Sequence, residues 1–171
     1  MLKTEDELRD FAERVIKNAR RSLKRNKKNA SGDLYNSLDY ELNVHKNSFS
    51  LQFFMMPYGT YIDEGVSGKS KKYNTPYRFG SGNFKGQGNK WDSNIKQWIK
   101  QKGIRGRDAK GRFIKADSLS FLIRRSIYDK GIKPTHFFST PFQNAYKRLS
   151  SDLLNSFGLD IDDFLEQTLN S

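Results

Sequence analysis

Apolar residues recur at three- and four-residue steps near the start of the chain: Leu8, Phe11, Ala12, Val15, Ile16, Ala19 and Leu23. That spacing puts them on one face of a helix spanning roughly residues 4–28. Thr4 and Glu7 stand at capping-box spacing, and Glu5, Asp6 and Glu7 suit the positive end of the helix dipole. The basic run Arg20 to Lys28 sits at the other end, where the dipole favours cations; we take it as a solvated helix end rather than a nucleic-acid arm. Asn29 to Asp33 breaks the pattern. The period then changes to two, with Leu38, Tyr40, Leu42 and Val44 before a polar turn at His45 to Ser48 and Phe49, Leu51, Phe53 and Met55 after it. Two alternating runs around a short turn predict an antiparallel hairpin, which Pro57 and Gly59 end.

From residue 65 to 90 the local signals are those of a loop. Gly65, Gly68, Gly80, Gly82, Gly86 and Gly88 free the backbone and Pro76 removes a donor, yet Tyr73, Tyr77, Phe79 and Phe84 are unlike a plain linker. A loop of this length is either functional or disordered, and its low apolar content suggests that a partner orders it. Three short helices are expected next. Ile95, Trp98 and Ile99 mark the first, ended by Gly103; Asp117 or Ser118 caps the second, which bears Leu119, Leu122, Ile123 and Ile127 and stops at Gly131. Ser139 or Thr140 with Pro141 opens the third, showing Phe142, Ala145, Tyr146, Leu149 and Leu153 before an acidic, weakly amphipathic tail at 159–169. A second basic loop lies between the first two, at 103–116. The expected fold class is α+β: one domain over residues 1–171, a small antiparallel sheet with a long N-terminal helix, several C-terminal helices and long basic loop insertions.

Composition narrows the partners. Of 171 residues 35% are hydrophobic, and thirteen Phe, eight Tyr and two Trp supply much of the core area. The net charge is +12, which favours polyanions or acidic protein surfaces. It is unevenly spread: residues 69–148 hold 20 Lys/Arg against 4 Asp/Glu, while 31–68 hold 1 against 5 and 149–171 none against 5. Such asymmetry favours copies packing basic block to acidic flank. With no cysteine there are neither disulfides nor thiolate metal sites. No apolar run approaches a membrane span and the N-terminus lacks the apolar core of a secretion leader, so we expect a soluble cytoplasmic protein.

Candidate chemistry is thin. Gly68-Lys69-Ser70 resembles the end of a phosphate-binding loop, but Asp63 stands where that motif needs its first glycine and Pro76 interrupts the helix that should follow. Gly80-Ser81-Gly82 fails as a dinucleotide fingerprint because Lys85 replaces its last glycine. Asp63 and Glu64 are adjacent, and on an extended chain they point to opposite faces, so a turn or intersubunit role fits better than paired catalysis. His45 and His136 lack ligand-spaced neighbours, and Asp160, Asp162, Asp163 and Glu166 lack the spacing of a calcium loop. That acidic group reads as a helix first turn or as a counter-surface for a neighbour's basic block. The basic loops remain. Lys69, Lys71, Lys72, Arg78, Lys85 and Lys90 occupy one, and Arg105, Arg107, Lys110, Arg112 and Lys115 the other, interleaved with aromatic residues. They suit sequence-blind phosphate contact, with an ordinary solvated loop as the alternative.

The segment Ser31-Gly32-Asp33-Leu34-Tyr35-Asn36-Ser37-Leu38 resembles the Thr-Gly-x-Leu-x-x-Ser-Ile signature of minor tail and neck proteins of tailed bacteriophages. Pro57-Tyr58-Gly59-Thr60-Tyr61-Ile62-Asp63-Glu64-Gly65 is similar to the family's Pro-Tyr-Ala-x-Tyr-x-Glu-x-Gly, and His136 to Ala145 resembles its aromatic-Pro segment before a final helix. The resemblance implies a structural virion protein of the head–tail connector, neck or tail-completion region. It also implies a six- or twelve-fold homo-oligomeric ring through which DNA passes, next to portal, neck or tail proteins, with no cofactor, no metal and no catalysis. Subunit contacts would fall on Tyr58, Tyr61, Asp63 and Glu64, and DNA or partner contacts on the basic loops. The protein would reside in the virion, after assembly in the host cytoplasm. The competing expectations are a free, sequence-nonspecific nucleic-acid-binding protein and, third, a small nuclease or modifying enzyme using Asp63 or Glu64.

Overall fold

The structure is a computed structural model and describes residues 3–26, 31–45, 48–79 and 89–169. The fold is α+β. In order come α1 (Lys3–Arg25), α2 (Asp33–Ser37), β1 (Asp39–His45), β2 (Ser48–Phe54), α3 (Gly59–Glu64), α4 (Asn89–Gln101), α5 (Ala116–Lys130) and α6 (Ser139–Leu169). The two strands form one antiparallel sheet. The chain divides into two compact units: Met1–Lys27, Asp33–Pro57 and His136–Ser171 in the first, Lys28–Gly32 and Tyr58–Thr135 in the second.

The first unit is built on the apolar stripe of α1. Phe11, Ala12, Val15, Ile16, Ala19 and Leu23 are all buried, and α1 packs against α6 and the hairpin. The strands pair Tyr40 with Phe53, Leu42 with Leu51 and Val44 with Phe49. A lone two-stranded sheet is marginal in water, so its stability comes from the helices it leans on. Leu51 and Phe53 pack on Phe11, Val15 and Ala145, joined by Phe138 just before the last helix and by Phe142 and Leu149 within it. The rings meet edge to face: Phe11 to Phe142 at 5.7 Å, Phe53 to Phe138 at 5.5 Å and Phe53 to Phe142 at 5.9 Å. Each such pair adds about 0.5–1.5 kcal/mol beyond the area it buries.

Two expectations about helix ends change. The first residues of α1 are capped from a distance: Asp160, inside α6, accepts from the Lys3 amide at 2.9 Å, the Thr4 amide at 3.0 Å and the Thr4 hydroxyl at 2.7 Å. Thr4 is buried within the helix rather than acting as its cap, and Asp160 is neither a helix first turn nor a free counter-surface. The last helix is not short. It runs 31 residues through Gly158, about 46 Å at the usual rise. A helical glycine costs about 1 kcal/mol relative to alanine, and the rest of so long a helix absorbs that.

In the second unit α4 and α5 are tied by charge. Asp92 accepts from the Ser120 hydroxyl at 2.7 Å, from Arg124 Nη2 at 3.0 Å and from Lys96 Nζ at 2.7 Å; Lys96 also meets Asp117 at 2.5 Å. Lys96 first, then the Ser120 hydroxyl, holds the Asp92 carboxyl below the usual carboxylate range. Helix α5 starts at Ala116, before the expected caps, so Asp117 lies in its first turn; Gly131 ends it with φ 76°.

The expectation that residues 65–90 need a partner is overturned for residues 65–79. Val66 and Ile132 exchange both amide–carbonyl bonds, at 2.9 and 2.8 Å. Ser67 receives Phe79 and donates to Tyr77, while Lys69 and Ser70 donate to Tyr128 and Asp129. The main chain thus obtains from residues 128–132 the order that apolar content does not supply. Val66 and Ser67 are buried, and Phe79 stacks on Trp91 at 6.0 Å. Residues 80–88, with the predicted Lys85, lie outside the described residues, as does the side chain of Lys90.

Candidate nucleic-acid interface

The second basic loop is a small hairpin organised by one carboxylate. Asp108, Ala109, Lys110 and Gly111 form a turn with Asp and Gly at the positions a type I turn favours, and Gly111 takes φ 78°. Asp108 Oδ1 accepts from the amides of Lys110 and Arg112, each at 2.9 Å, and Oδ2 from Arg112 Nε at 3.0 Å. The Arg112 amide is the largest of the influences lowering the Asp108 pKa below its ordinary value. Arg107 bridges Phe113 in antiparallel fashion, and the Ile114 amide donates to Gly106.

This frame displays cations around one ring. Phe113 is 58% exposed, with the Arg107 guanidinium 4.1 Å and that of Arg105 5.9 Å from its centroid. Arg107 Nη1 also donates to the Gly111 carbonyl at 2.7 Å, which fixes its plane. Arg105, Arg107, Lys110, Arg112 and Lys115 are all exposed. Of these, Arg112 alone is ion-paired among the described residues, to Asp108. A guanidinium held over an aromatic ring at an exposed position keeps N–H groups available to solvent, an arrangement suited to phosphate oxygens. Phe113 was not among the residues singled out from sequence. The signal for it is the two-residue step from Arg105 to Arg107, which puts both on one face of the hairpin.

In the first loop Lys69, Lys71, Lys72 and Arg78 are likewise exposed. Lys72 is partly committed to the fold, donating to the Gly68 carbonyl at 2.8 Å, and Lys71 lies 5.7 Å from the Tyr73 ring. Both basic loops belong to the second unit.

The predicted subunit-contact segment lies on helix α3, not on extended chain. Tyr58 and Tyr61 keep 39% and 45% of their surface exposed, and Tyr61 meets Tyr77 edge to face at 4.7 Å. Asp63 is buried at 5% exposure, so its side chain is turned into its own chain, while Glu64 is half-buried. The Thr135 amide and hydroxyl close the helix end on the Ile62 carbonyl. His136, three residues before α6, takes φ 49°, its Nδ1 3.4 Å from the Ser139 hydroxyl. Among the described residues no three His, Asp or Glu side chains converge as metal ligands would, and no helix is long and apolar enough to cross a membrane. Comparison with protein-family models, with curated proteins and with solved structures finds nothing that matches this chain.

Proposed function

We propose that this chain is a structural protein of a tailed-phage particle, one subunit of a six- or twelve-fold ring in the head–tail connector, neck or tail-completion region. DNA passes through the ring, and portal, neck or tail proteins adjoin it. The observation that carries this reading is the display of exposed cations on the loops of the second unit, with the guanidinium groups of Arg105 and Arg107 gathered at the Phe113 ring. Contacts of that kind grip phosphate without reading bases and let a duplex slide. Tyr58 and Tyr61 support it further. They fall in the segment resembling the family's subunit motif and expose rings of the sort that anchor interfaces. The protein would act in the virion, after assembly in the host cytoplasm.

A second reading has its own support. Residues 65–79 are ordered within a single chain, as a free, sequence-nonspecific nucleic-acid-binding protein requires. Native mass spectrometry and electron microscopy of the purified protein, alone and with particle extracts, separate the two. Closed rings, or incorporation into particles, are expected. A strict monomer that binds short duplexes tightly and never joins a virion would leave the second reading standing.

A further inference from the structure

One cleft belongs wholly to the first unit. It encloses about 560 Å³ between α1, the short helix α2 and the start of β1. Its helical wall is Lys17, Arg20, Arg21 and Lys24, residues at the spacing of one helix face, with Tyr35 and Tyr40 opposite. The sequence alone presents Arg20, Arg21 and Lys24 as part of a solvated helix end, because the residues facing them arrive from other elements.

The cleft is built rather than merely charged. Arg20 donates through Nε to the Tyr35 carbonyl at 3.1 Å and through Nη2 to the Leu38 carbonyl at 2.8 Å. Its guanidinium lies 5.3 Å from the Tyr35 ring centroid, and the Lys24 ammonium lies 4.8 Å from the same ring. Two cations are therefore held in place beforehand, which lowers the ordering cost of capturing an anion. Two carboxylates line the cleft, yet neither neutralises it. Glu13 receives the Tyr40 hydroxyl at 3.4 Å and Asp39 the Tyr40 amide at 2.9 Å. Among the described residues Lys17, Arg20, Arg21 and Lys24 form no ion pair.

We propose that this cleft binds a phosphate ester, either the backbone of a nucleic-acid strand or a free nucleotide. Planar guanidinium and compact ammonium groups match phosphate oxygens. From Lys17 to Lys24 the helix rises about 10 Å, the axial length of about three nucleotides of one strand. Glu13 and Asp39 accept from the hydroxyl or amino donors that a nucleotide carries beside its phosphate, and they repel a run of carboxylates, so an acidic peptide is the poorer occupant. Tyr40 is half-buried and offers a ring for a sugar or base. The inference stands apart from the ring proposal: a monomer with this cleft binds the same ligand.

The test uses the full-length protein and a fluorescein-labelled thymidine 12-mer, followed by anisotropy across a salt series. The cleft variant Lys17→Gln/Arg21→Gln/Lys24→Gln is compared with Lys100→Gln/Arg125→Gln/Lys133→Gln, which removes equal charge elsewhere. The cleft variant is expected to weaken binding at least tenfold and to lower the salt slope by about 2, as loss of three single-strand phosphate contacts requires. The control variant should move both by much less. Unlabelled thymidine monophosphate and a 12-base-pair duplex as competitors tell a free nucleotide from a backbone. Hydrogen exchange on the unsubstituted protein supplies a readout independent of variant folding: residues 13–24 and 35–40 should gain protection with the 12-mer. Equal losses in both variants, unchanged exchange in those segments, or competition by polyglutamate as strong as by the strand would overturn the proposal.

Discussion

Asp160 shows how much a single side chain holds. It takes up two backbone N–H groups and one hydroxyl at the start of a helix more than 150 residues earlier in the chain. The Thr4 hydroxyl first, then burial working against it and the two amides with it, leaves its pKa below the ordinary carboxylate value. A folded pKa beneath the unfolded one means stability that is present above the unfolded value, near 4, and lost as pH falls through the folded one. Asp160→Ala should therefore cost about 1 kcal/mol at neutral pH, the usual worth of a helix cap. In urea denaturation at a series of pH values, that gap from the parent protein should close below pH about 4. A gap that stays constant into acid would remove the carboxylate from this role. The residue carried no sequence signal for it, since nothing local in an acidic tail points to the first turn of a distant helix.

Between elements, the tightest crossing joins the segment after α3 to the end of α5. A Cβ on Gly68 would stand 2.2 Å from the Asp129 carbonyl oxygen, and one on Gly131 2.2 Å from that of Val66. Both obstacles are backbone, so neither can step aside. Gly68→Ala and Gly131→Ala should each destabilise by about 3 kcal/mol or more, in the range of the severe single substitutions. Gly103→Ala has φ +61° but open space around it, and should cost only the left-handed penalty of about 1–2 kcal/mol. Thermal melts of the three variants give the comparison, and equal losses would refute it. Elements differ in how far they announce themselves. The stripe from Leu8 to Leu23 and the alternation from Tyr40 to Phe53 were legible because burial on one face imposes a period. Helices α2 and α3, five and six residues long, are too short to show one. The pairing of Val66 with Ile132 joins residues far apart in sequence, and its main-chain bonds leave no mark on side-chain pattern. The basic hairpin was legible as composition, whereas the cleft needed Tyr35 brought beside Lys24 by the fold.

Across the whole molecule the charge is carried by one segment. Residues 58–135 hold 18 Lys/Arg against 6 Asp/Glu, while the rest of the chain holds 13 of each and is neutral. Duplex affinity should then follow the second unit. Replacing Arg105, Arg107 and Arg112 together by Gln should reduce the salt slope for duplex binding by about 3, one counterion for each lost phosphate contact. An unchanged slope in an anisotropy titration against KCl would move the contact elsewhere. The path of the chain has a separate consequence. Apart from Lys28–Gly32, the second unit is a continuous stretch between Pro57 and His136, and α6, which completes the core around Phe11 and Phe53, is synthesised after it. On a ribosome adding about 5–20 residues per second, the N-terminal helix and its hairpin emerge several seconds ahead of the helix that covers them. During each round of translation those phenylalanines stay open to water or to a chaperone, and the first unit can close only when the last helix has been made.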